Sequence, residues 1–256
     1  MNTDFSGVGV LVTGGTSGLG AETARGFASA GAQVTIAGRN AEAGKSLADE
    51  LGALTTFVST DVTDEDQVAE AVEVARGAPR GLRVVVSAAG VAAVAKTVGR
   101  DGAPHALATF RQMIDVNLVG AFNVLRYAAA AMKSNGADED GGRGVIVLTS
   151  SVGAFEGQMG QVAYAASKGG VVAMTLPAAR DLARSGIRVA GIAPGVFDTP
   201  FMDILSEEAK AGISASVPHP SRLGKAEEYA ALVLHIAQNP MLNGETIRLD
   251  GALRLG

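Results

Sequence analysis

A glycine-rich turn near the start of the 256-residue chain constrains its fold more than any other feature. It follows an apolar, β-branched run at Val8–Val12 and precedes a helical stretch that ends near Ala30. A strand, a glycine turn and a helix in this order favour a dinucleotide-binding loop over a plain tight turn. Glycines let the backbone approach a pyrophosphate, and the helix N-terminus offers it free N–H groups. The residues predicted to contact the dinucleotide are Gly14, Thr16, Ser17, Gly18, Leu19 and Gly20.

Apolar strand-like runs and helical stretches alternate along the rest of the chain. There are about seven such runs, and the helical stretches include a long one around Phe110–Met132. This alternation predicts a Rossmann-type, doubly wound parallel sheet with helices on both faces, an α/β fold. Ligands are then expected at the carboxyl ends of the strands. No linker or repeat divides residues 1–256, so they are predicted to form a single domain.

Composition excludes several classes of function. Acidic residues outnumber basic ones, 26 to 21, which argues against nucleic acid or an anionic membrane as the main partner. There is no run of eighteen apolar residues and no basic, apolar leader, so we expect a soluble cytoplasmic protein. The absence of cysteine excludes disulfides and thiol catalysis, and three scattered histidines do not make a metal site.

Ser151, Tyr164 and Lys168 have the spacing of a proton-transfer group. Tyr164 and Lys168 are four residues apart, so in a helix both side chains lie on one face. A phenol has a pKa of about 10, and an ammonium beside it is expected to lower that pKa towards neutrality. Ser151 follows the strand-like run Val145–Val147 and can donate to the same substrate oxygen. Taken alone, this spacing also arises by chance in ordinary helices.

Polar or small residues at other strand ends are candidates for cofactor contacts. Asp61 follows the third strand, where it either accepts from an adenine amino group or caps the next helix. Asn117 interrupts an apolar helix, so it either bonds across the helix or serves the site. The other predicted cofactor contacts are Val62, Ala89, Gly90, Pro194, Gly195 and Thr199.

One segment and one further residue are candidates for substrate contact. Residues 196–224 mix prolines with apolar residues and follow the sixth strand, so they form either a lid or a packed connection; we predict a substrate lid. Gln158, shortly before Tyr164, either reaches the substrate or braces its loop.

The combined motifs make the chain similar to the short-chain dehydrogenase/reductase family over essentially its whole length. One departure is Ser-Ala-Ala-Gly at residues 87–90, where the family usually has Asn-Asn-Ala-Gly, so side-chain hydrogen bonds that brace the sheet are lost. The resemblance implies NAD(P), a small-molecule substrate and a homotetramer. The matching motifs are TGGTSGLG at 13–20, the Asn117 helix, Ser151, YAASK at 164–168 and PGVFDT at 194–199.

Longer matches resemble one branch of that family, the 3-hydroxyacyl-CoA dehydrogenases type 2, also called multifunctional 17β-hydroxysteroid dehydrogenases. They include AFEGQMGQVAYAASKGG at 154–170 and NGETIRLDGALR at 243–254. This likeness implies a 3-hydroxyacyl-CoA, a steroid or another secondary alcohol with an apolar body. NAD-using members carry an acidic residue where this chain has Gly38, and Arg39 follows it. NADP(H) is therefore favoured over NAD(H), unless Arg39 is only a solvated loop residue.

The resemblance also implies roles. Tyr164 takes the hydroxyl proton, Ser151 fixes the substrate oxygen, Lys168 contacts the nicotinamide ribose and Asn117 positions a water that relays the proton. An alternative is a 3-oxoacyl or other carbonyl reductase that uses NADPH. A non-catalytic dinucleotide-binding scaffold is disfavoured, because Ser151, Tyr164 and Lys168 are all present.

Overall fold

The computed structural model describes residues 4–202 and 207–255. Within them, seven parallel strands form one sheet, in the spatial order third, second, first, fourth, fifth, sixth and seventh. The predicted Rossmann-type parallel sheet is confirmed. The strands are β1 (Gly9–Thr13), β2 (Gln33–Gly38), β3 (Thr55–Ser59), β4 (Leu82–Ser87), β5 (Gly144–Thr149), β6 (Ile187–Pro194) and β7 (Thr246–Leu249).

Helices connect the strands. The long helix predicted around Phe110–Met132 is interrupted by a π-helical turn at Asp115–Val119, and the helix at Glu207–Ser216 was not predicted. The helices are α1 (Gly18–Ser29), α2 (Ala41–Leu51), α3 (Glu65–Arg76), α4 (Leu107–Ile114), α5 (Gly120–Met132), α6 (Val162–Leu182), α7 (Glu207–Ser216) and α8 (Ala226–Gln238).

The two faces of the sheet carry separate cores. In β1, Leu11 packs on the side of α3, α5 and α6, whereas Val10 and Val12 pack on the side of α1, α2 and α8. All three side chains are fully buried. A strand that is apolar on both faces needs helices on both sides, which explains the continuous apolar runs in the sequence.

The strand order reverses between β1 and β4, which are neighbours in the sheet. A cavity of about 830 Å³ opens there, lined by residues that follow the carboxyl ends of β1, β2, β3, β4, β5 and β6. This is the expected location of a ligand in an open parallel sheet.

Candidate active site

The glycine turn after β1 has the shape of a phosphate cradle. Gly14 has a φ of +66°, and a Cβ there would lie 2.6 Å from the Ala89 nitrogen, so only glycine fits. A Cβ at Gly20 would lie 2.3 Å from the Gly14 oxygen, which brings α1 directly against the turn. In the described structure no side chain caps the N-terminus of α1 at Ser17, and its first turn has no acidic residue. Its N–H groups thus face the cavity without a competing anion, which suits a bound pyrophosphate. The other turn residues that line the cavity are Thr16, Gly18 and Leu19.

The end of β2 carries the residues predicted to choose between cofactors. A Cβ at Gly38 would lie 2.9 Å from Thr16 Cγ2, so the Thr16 side chain occupies the space beside it. Arg39 is exposed and lines the cavity. Its guanidinium makes no hydrogen bond or ion pair with the residues that the structure describes, and is therefore available to a ligand.

Asp61 lines the cavity but does not cap a helix. Its Oδ1 accepts hydrogen bonds from the Thr63 N–H, at 2.9 Å, and the Thr63 hydroxyl, at 2.7 Å. These bonds, and to a smaller extent the charge of Arg39, hold the pKa of the Asp61 carboxyl below its usual value. The cap of α3 is Asp64, which lies next to the helix, so the capping alternative for Asp61 is wrong. Val62, which also lines the cavity, is buried.

Asn117 is tied to the segment after β4. Its side chain is 1% exposed; Oδ1 accepts from the Val91 N–H at 2.8 Å, and Nδ2 donates to the Val91 oxygen at 2.9 Å and to Ser167 Oγ at 3.0 Å. A Cβ at Gly90 would lie 3.2 Å from Asn117 Oδ1 and 3.5 Å from Lys168 Nζ. Asn117 therefore bonds to another segment; it lies next to Gly90 but does not itself line the cavity. Ala89 and Gly90 line the cavity.

Ser151, Tyr164 and Lys168 meet at the end of β5. Ser151 Oγ accepts from the Gly153 N–H at 3.1 Å and is hydrogen-bonded to the Tyr164 hydroxyl. Lys168 is buried, and its Nζ donates to the Thr149 oxygen at 2.8 Å. This places a phenol, a serine hydroxyl and an ammonium at one wall of the cavity.

The pKa values of this group differ from the sequence-based expectation. Burial raises the pKa of Tyr164, and the hydrogen bond with Ser151 opposes that change. Burial alone lowers the pKa of Lys168 to about 8. The expected lowering of the Tyr164 pKa by Lys168 is thus not found, because desolvation of the phenolate dominates.

The segment after β6 closes the other side of the cavity. The Gly195 N–H donates to the Leu249 oxygen at 2.9 Å, and a Cβ at Gly195 would lie 2.9 Å from Asp250 Cα. Pro194 and Gly195 line the cavity, as does Thr199. A Cβ at Gly18 would lie 3.3 Å from Thr199 Cβ, so this segment reaches the N-terminus of α1.

The segment 196–224, described at residues 196–202 and 207–224, is joined at its two ends. The Gly224 N–H donates to the Val196 oxygen at 2.9 Å, and the Asp198 N–H donates to the Gly224 oxygen at 2.8 Å. Met202 and Ile213 line the cavity. The loop thus presents apolar side chains to the cavity. Of its other apolar residues, Phe197 and Val217 are buried, whereas Ile204, Leu205 and the side chain of Phe201 lie outside the described residues.

Gln158 is exposed and lines the cavity. Its N–H donates to Gln161 Oε1 at 3.0 Å, so the side chain of Gln161 braces this loop. Sequence reasoning missed several apolar lining residues, among them Val94 and Leu255, because they belong to no motif. It also missed the Thr149 carbonyl that holds Lys168, because a backbone acceptor leaves no sequence signal.

Comparison with known proteins identifies the family. A family model described as short chain dehydrogenase matches residues 9–210. The chain belongs to the short-chain dehydrogenase family. A short-chain dehydrogenase is an oxidoreductase that binds NAD(P), and the cradle described above fits that cofactor.

Individual relatives of this short-chain dehydrogenase match nearly its full length. It is 48% identical to 3-hydroxyacyl-CoA dehydrogenase type-2 of Drosophila melanogaster over 246 residues, which cover 96% of each chain. It is also 48% identical to the Homo sapiens protein of that name over 250 residues, 97% of this chain and 96% of the relative. The crystal structure of 3-hydroxyacyl-CoA dehydrogenase type-2 from Mycobacterium avium superposes with a TM-score of 0.95 at 46% identity, covering 98% of both chains.

The described residues show neither a membrane-spanning helix nor a metal-binding cluster. Among residues 4–202 and 207–255, no helix is long and apolar enough to cross a membrane. The same residues contain no group of three or more His, Asp or Glu side chains arranged to hold a metal ion.

Proposed function

We propose that this short-chain dehydrogenase interconverts a secondary alcohol and a ketone in a 3-hydroxyacyl-CoA or a similar apolar hydroxy substrate. The observation that carries the proposal is the Ser151–Tyr164 hydrogen bond beside buried Lys168 in a cavity with apolar walls. The names of its relatives support the acyl-CoA assignment. Val94 and Ile213 are apolar residues of the lining that suit an acyl chain.

Each residue of the site has a separate role in the proposed reaction. A nicotinamide cofactor bound in the cavity would supply the hydride chemistry, as acceptor in oxidation and as donor in reduction. Tyr164 takes the hydroxyl proton in oxidation and gives it back in reduction. Ser151 donates a hydrogen bond to the same substrate oxygen and thereby orients it. Lys168, whose Nζ is held by the Thr149 oxygen, contacts the nicotinamide ribose in this proposal and passes on the proton that Tyr164 takes up. Asn117 holds the Val91 segment beside Lys168, and a water relay there stays a prediction.

The cofactor is proposed to be NADP(H) rather than NAD(H). Gly38 places no carboxylate where the adenosine ribose hydroxyls would bind, so nothing repels a 2′-phosphate there. Arg39 is exposed at the cavity and makes no hydrogen bond or ion pair with a described residue; its charge acts on Asp61 only to a small extent. A guanidinium can hold a phosphate through two parallel hydrogen bonds.

Residues 196–224 are proposed to act as a lid over the bound substrate. The loop is joined at its base, and Met202 and Ile213 face the cavity, so closure would exclude water from the hydride transfer. Hydrogen exchange of Glu207–Ser216, with and without NADP⁺ plus 3-hydroxybutyryl-CoA, tests this. The exchange is expected to slow in the complex; equal exchange in both states would contradict a lid.

Initial rates test the function directly. Acetoacetyl-CoA and a ketosteroid, each with NADH and NADPH, give four measurements on the same protein. The highest kcat/KM is expected for acetoacetyl-CoA with NADPH. No turnover of acetoacetyl-CoA with either cofactor, together with reduction of other ketones by NADPH, would contradict the acyl-CoA assignment and favour a carbonyl reductase, which the Arg39 site also suits.

The assembly is proposed to be a homotetramer, as the family resemblance implies. Light scattering on the purified protein tests it: a mass near four chains is expected, and a monomer would contradict it.

A further inference from the structure

Tyr229, on α8, reaches the end of β5 from the opposite side of the sheet to Lys168. Its side chain is fully buried, and its hydroxyl lies 2.6 Å from Thr149 Oγ1. In the part of the chain that the structure describes, this is the only hydrogen-bond partner of the Tyr229 hydroxyl. A buried hydroxyl that loses its only partner is costly, so this bond fixes the Thr149 side chain firmly.

Thr149 is paired with a neighbouring strand on one side only. It pairs with Ile192 of β6, whereas the pairing of β5 with β4 ends one residue earlier, at Leu148 and Ser87. The position of Thr149 therefore depends on contacts from outside the sheet. Ser151, which is hydrogen-bonded to Tyr164, follows only two residues later.

Those contacts come from both helix layers. The Thr149 carbonyl accepts the hydrogen bond from Lys168 Nζ at 2.8 Å, and Ser150 Oγ donates to the Lys168 oxygen at 2.9 Å. The Thr149 hydroxyl meets Tyr229, which packs in the core of α1, α2 and α8. Thr149 is thus the one residue of this segment that links α8 to the ammonium on α6.

We propose that Tyr229 is a positioning residue of the active site. Its hydroxyl fixes Thr149, whose carbonyl in turn sets the place of the Lys168 ammonium. Tyr229 does not line the cavity, so it acts only through Thr149. The inference rests on the proposed role of Lys168 in proton transfer and extends that site to α8.

A double-mutant cycle tests the proposal. Tyr229→Phe and Thr149→Val each remove one hydroxyl and keep the side-chain volume. Each is expected to lower kcat about three- to thirtyfold, because small misplacements of catalytic groups are costly. The double variant is expected to be no slower than the slower single variant, since both remove the same bond. The Kd for the cofactor and the KM for the substrate are expected to stay within about twofold.

Two control variants make the test specific. Thr149→Ser keeps a hydroxyl and is expected to retain most of the rate. Tyr127→Phe removes a tyrosine hydroxyl on α5, beside Arg126 and away from the cavity lining, and is expected to leave kcat unchanged.

Three results would overturn the proposal. The first is a Tyr229→Phe enzyme whose Tm falls but whose kcat, measured well below that Tm, stays within about twofold of the unmodified protein. The second is a double variant in which the two effects multiply. The third is Tyr164→Phe keeping its turnover, which removes the proposed function and with it the basis for a positioning role. If Tyr164→Phe loses its turnover and Tyr229→Phe keeps it, the positioning role is rejected and the proposed function stands.

Discussion

The substitution Arg39→Leu is the most specific test of the proposed preference for NADP(H) over NAD(H). The guanidinium is exposed at the cavity, so its removal breaks no hydrogen bond or ion pair with the residues that the structure describes. A hydrogen bond to a charged group contributes about 1.5–3 kcal/mol, which corresponds to about a ten- to a hundredfold change in equilibrium or rate. We therefore expect kcat/KM with NADPH to fall by about that factor, and kcat/KM with NADH to change by less than about twofold.

Three substitutions are expected to reverse the proposed cofactor preference. Gly38→Asp adds a carboxylate for the ribose hydroxyls, but its Cβ would meet Thr16 Cγ2 at 2.9 Å. Thr16→Ser removes that methyl group. Thr16→Ser, Gly38→Asp and Arg39→Leu together are therefore expected to prefer NADH, whereas the two changes without Thr16→Ser are expected to bind both cofactors more weakly.

The assay measures kcat/KM for NADPH and for NADH, at saturating acetoacetyl-CoA, in the unmodified enzyme and in each variant. Arg76→Leu is the matched control, because Arg76 is an exposed guanidinium at the C-terminal end of α3, paired with Glu73 and outside the cavity lining. An unmodified enzyme that prefers NADH, or an Arg39→Leu enzyme that loses NADH and NADPH activity equally, would refute the phosphate-binding role of Arg39.

Two further predictions concern buried polar groups. The pKa of Lys168 is lowered by burial from 10.5 to about 8, so between these pH values the unfolded chain binds more protons than the folded one. Stability of the cofactor-free protein should thus rise across that window by about 3 kcal/mol, and Lys168→Met should abolish this rise, as measured by urea unfolding at pH 7.5 and 10.5. An unchanged rise in Lys168→Met would contradict the assignment. Asn117→Ala is expected to lower kcat at least about tenfold, whereas Asn123→Ala, which removes a buried bond to the Val62 oxygen, is expected to lower Tm with little change in kcat. Equal kcat values for the two variants would count against a role for Asn117 at the site.

The sheet and the main motifs could be predicted because their signals are local. Buried parallel strands are short, continuous apolar runs. Gly15 and Gly20 are imposed by close backbone contacts within the β1–α1 segment itself. The Ser151, Tyr164 and Lys168 cluster follows from helical spacing and from the convergence of strand ends at one edge.

Other features depend on contacts that the sequence does not display. The π-helical turn at Asp115–Val119 shifts backbone hydrogen bonds but leaves the apolar pattern of a long helix. The bond between Thr149 and Tyr229 joins residues 80 positions apart. The predicted direction of the Tyr164 pKa shift is wrong, because the shift depends on burial of the side chain, and sequence spacing gives no information on burial.

The helix α7 was missed for a different reason. Its residues, Glu207–Ser216, lie in a segment where prolines and scattered apolar residues hide any helical period. The sequence pattern indicates only that this segment interrupts the alternation of strands and helices, and it does not predict a helix there.

The most direct test of the account is the turnover of Tyr164→Phe. The substitution removes only the hydroxyl that is hydrogen-bonded to Ser151, and leaves the glycine turn and Arg39 intact. Cofactor affinity, measured by fluorescence titration, should therefore stay within about twofold. The account predicts a kcat at least about a hundredfold lower, as expected when a general acid/base is lost. A variant that keeps more than about a tenth of the original kcat would contradict the assignment of Tyr164 as the proton carrier.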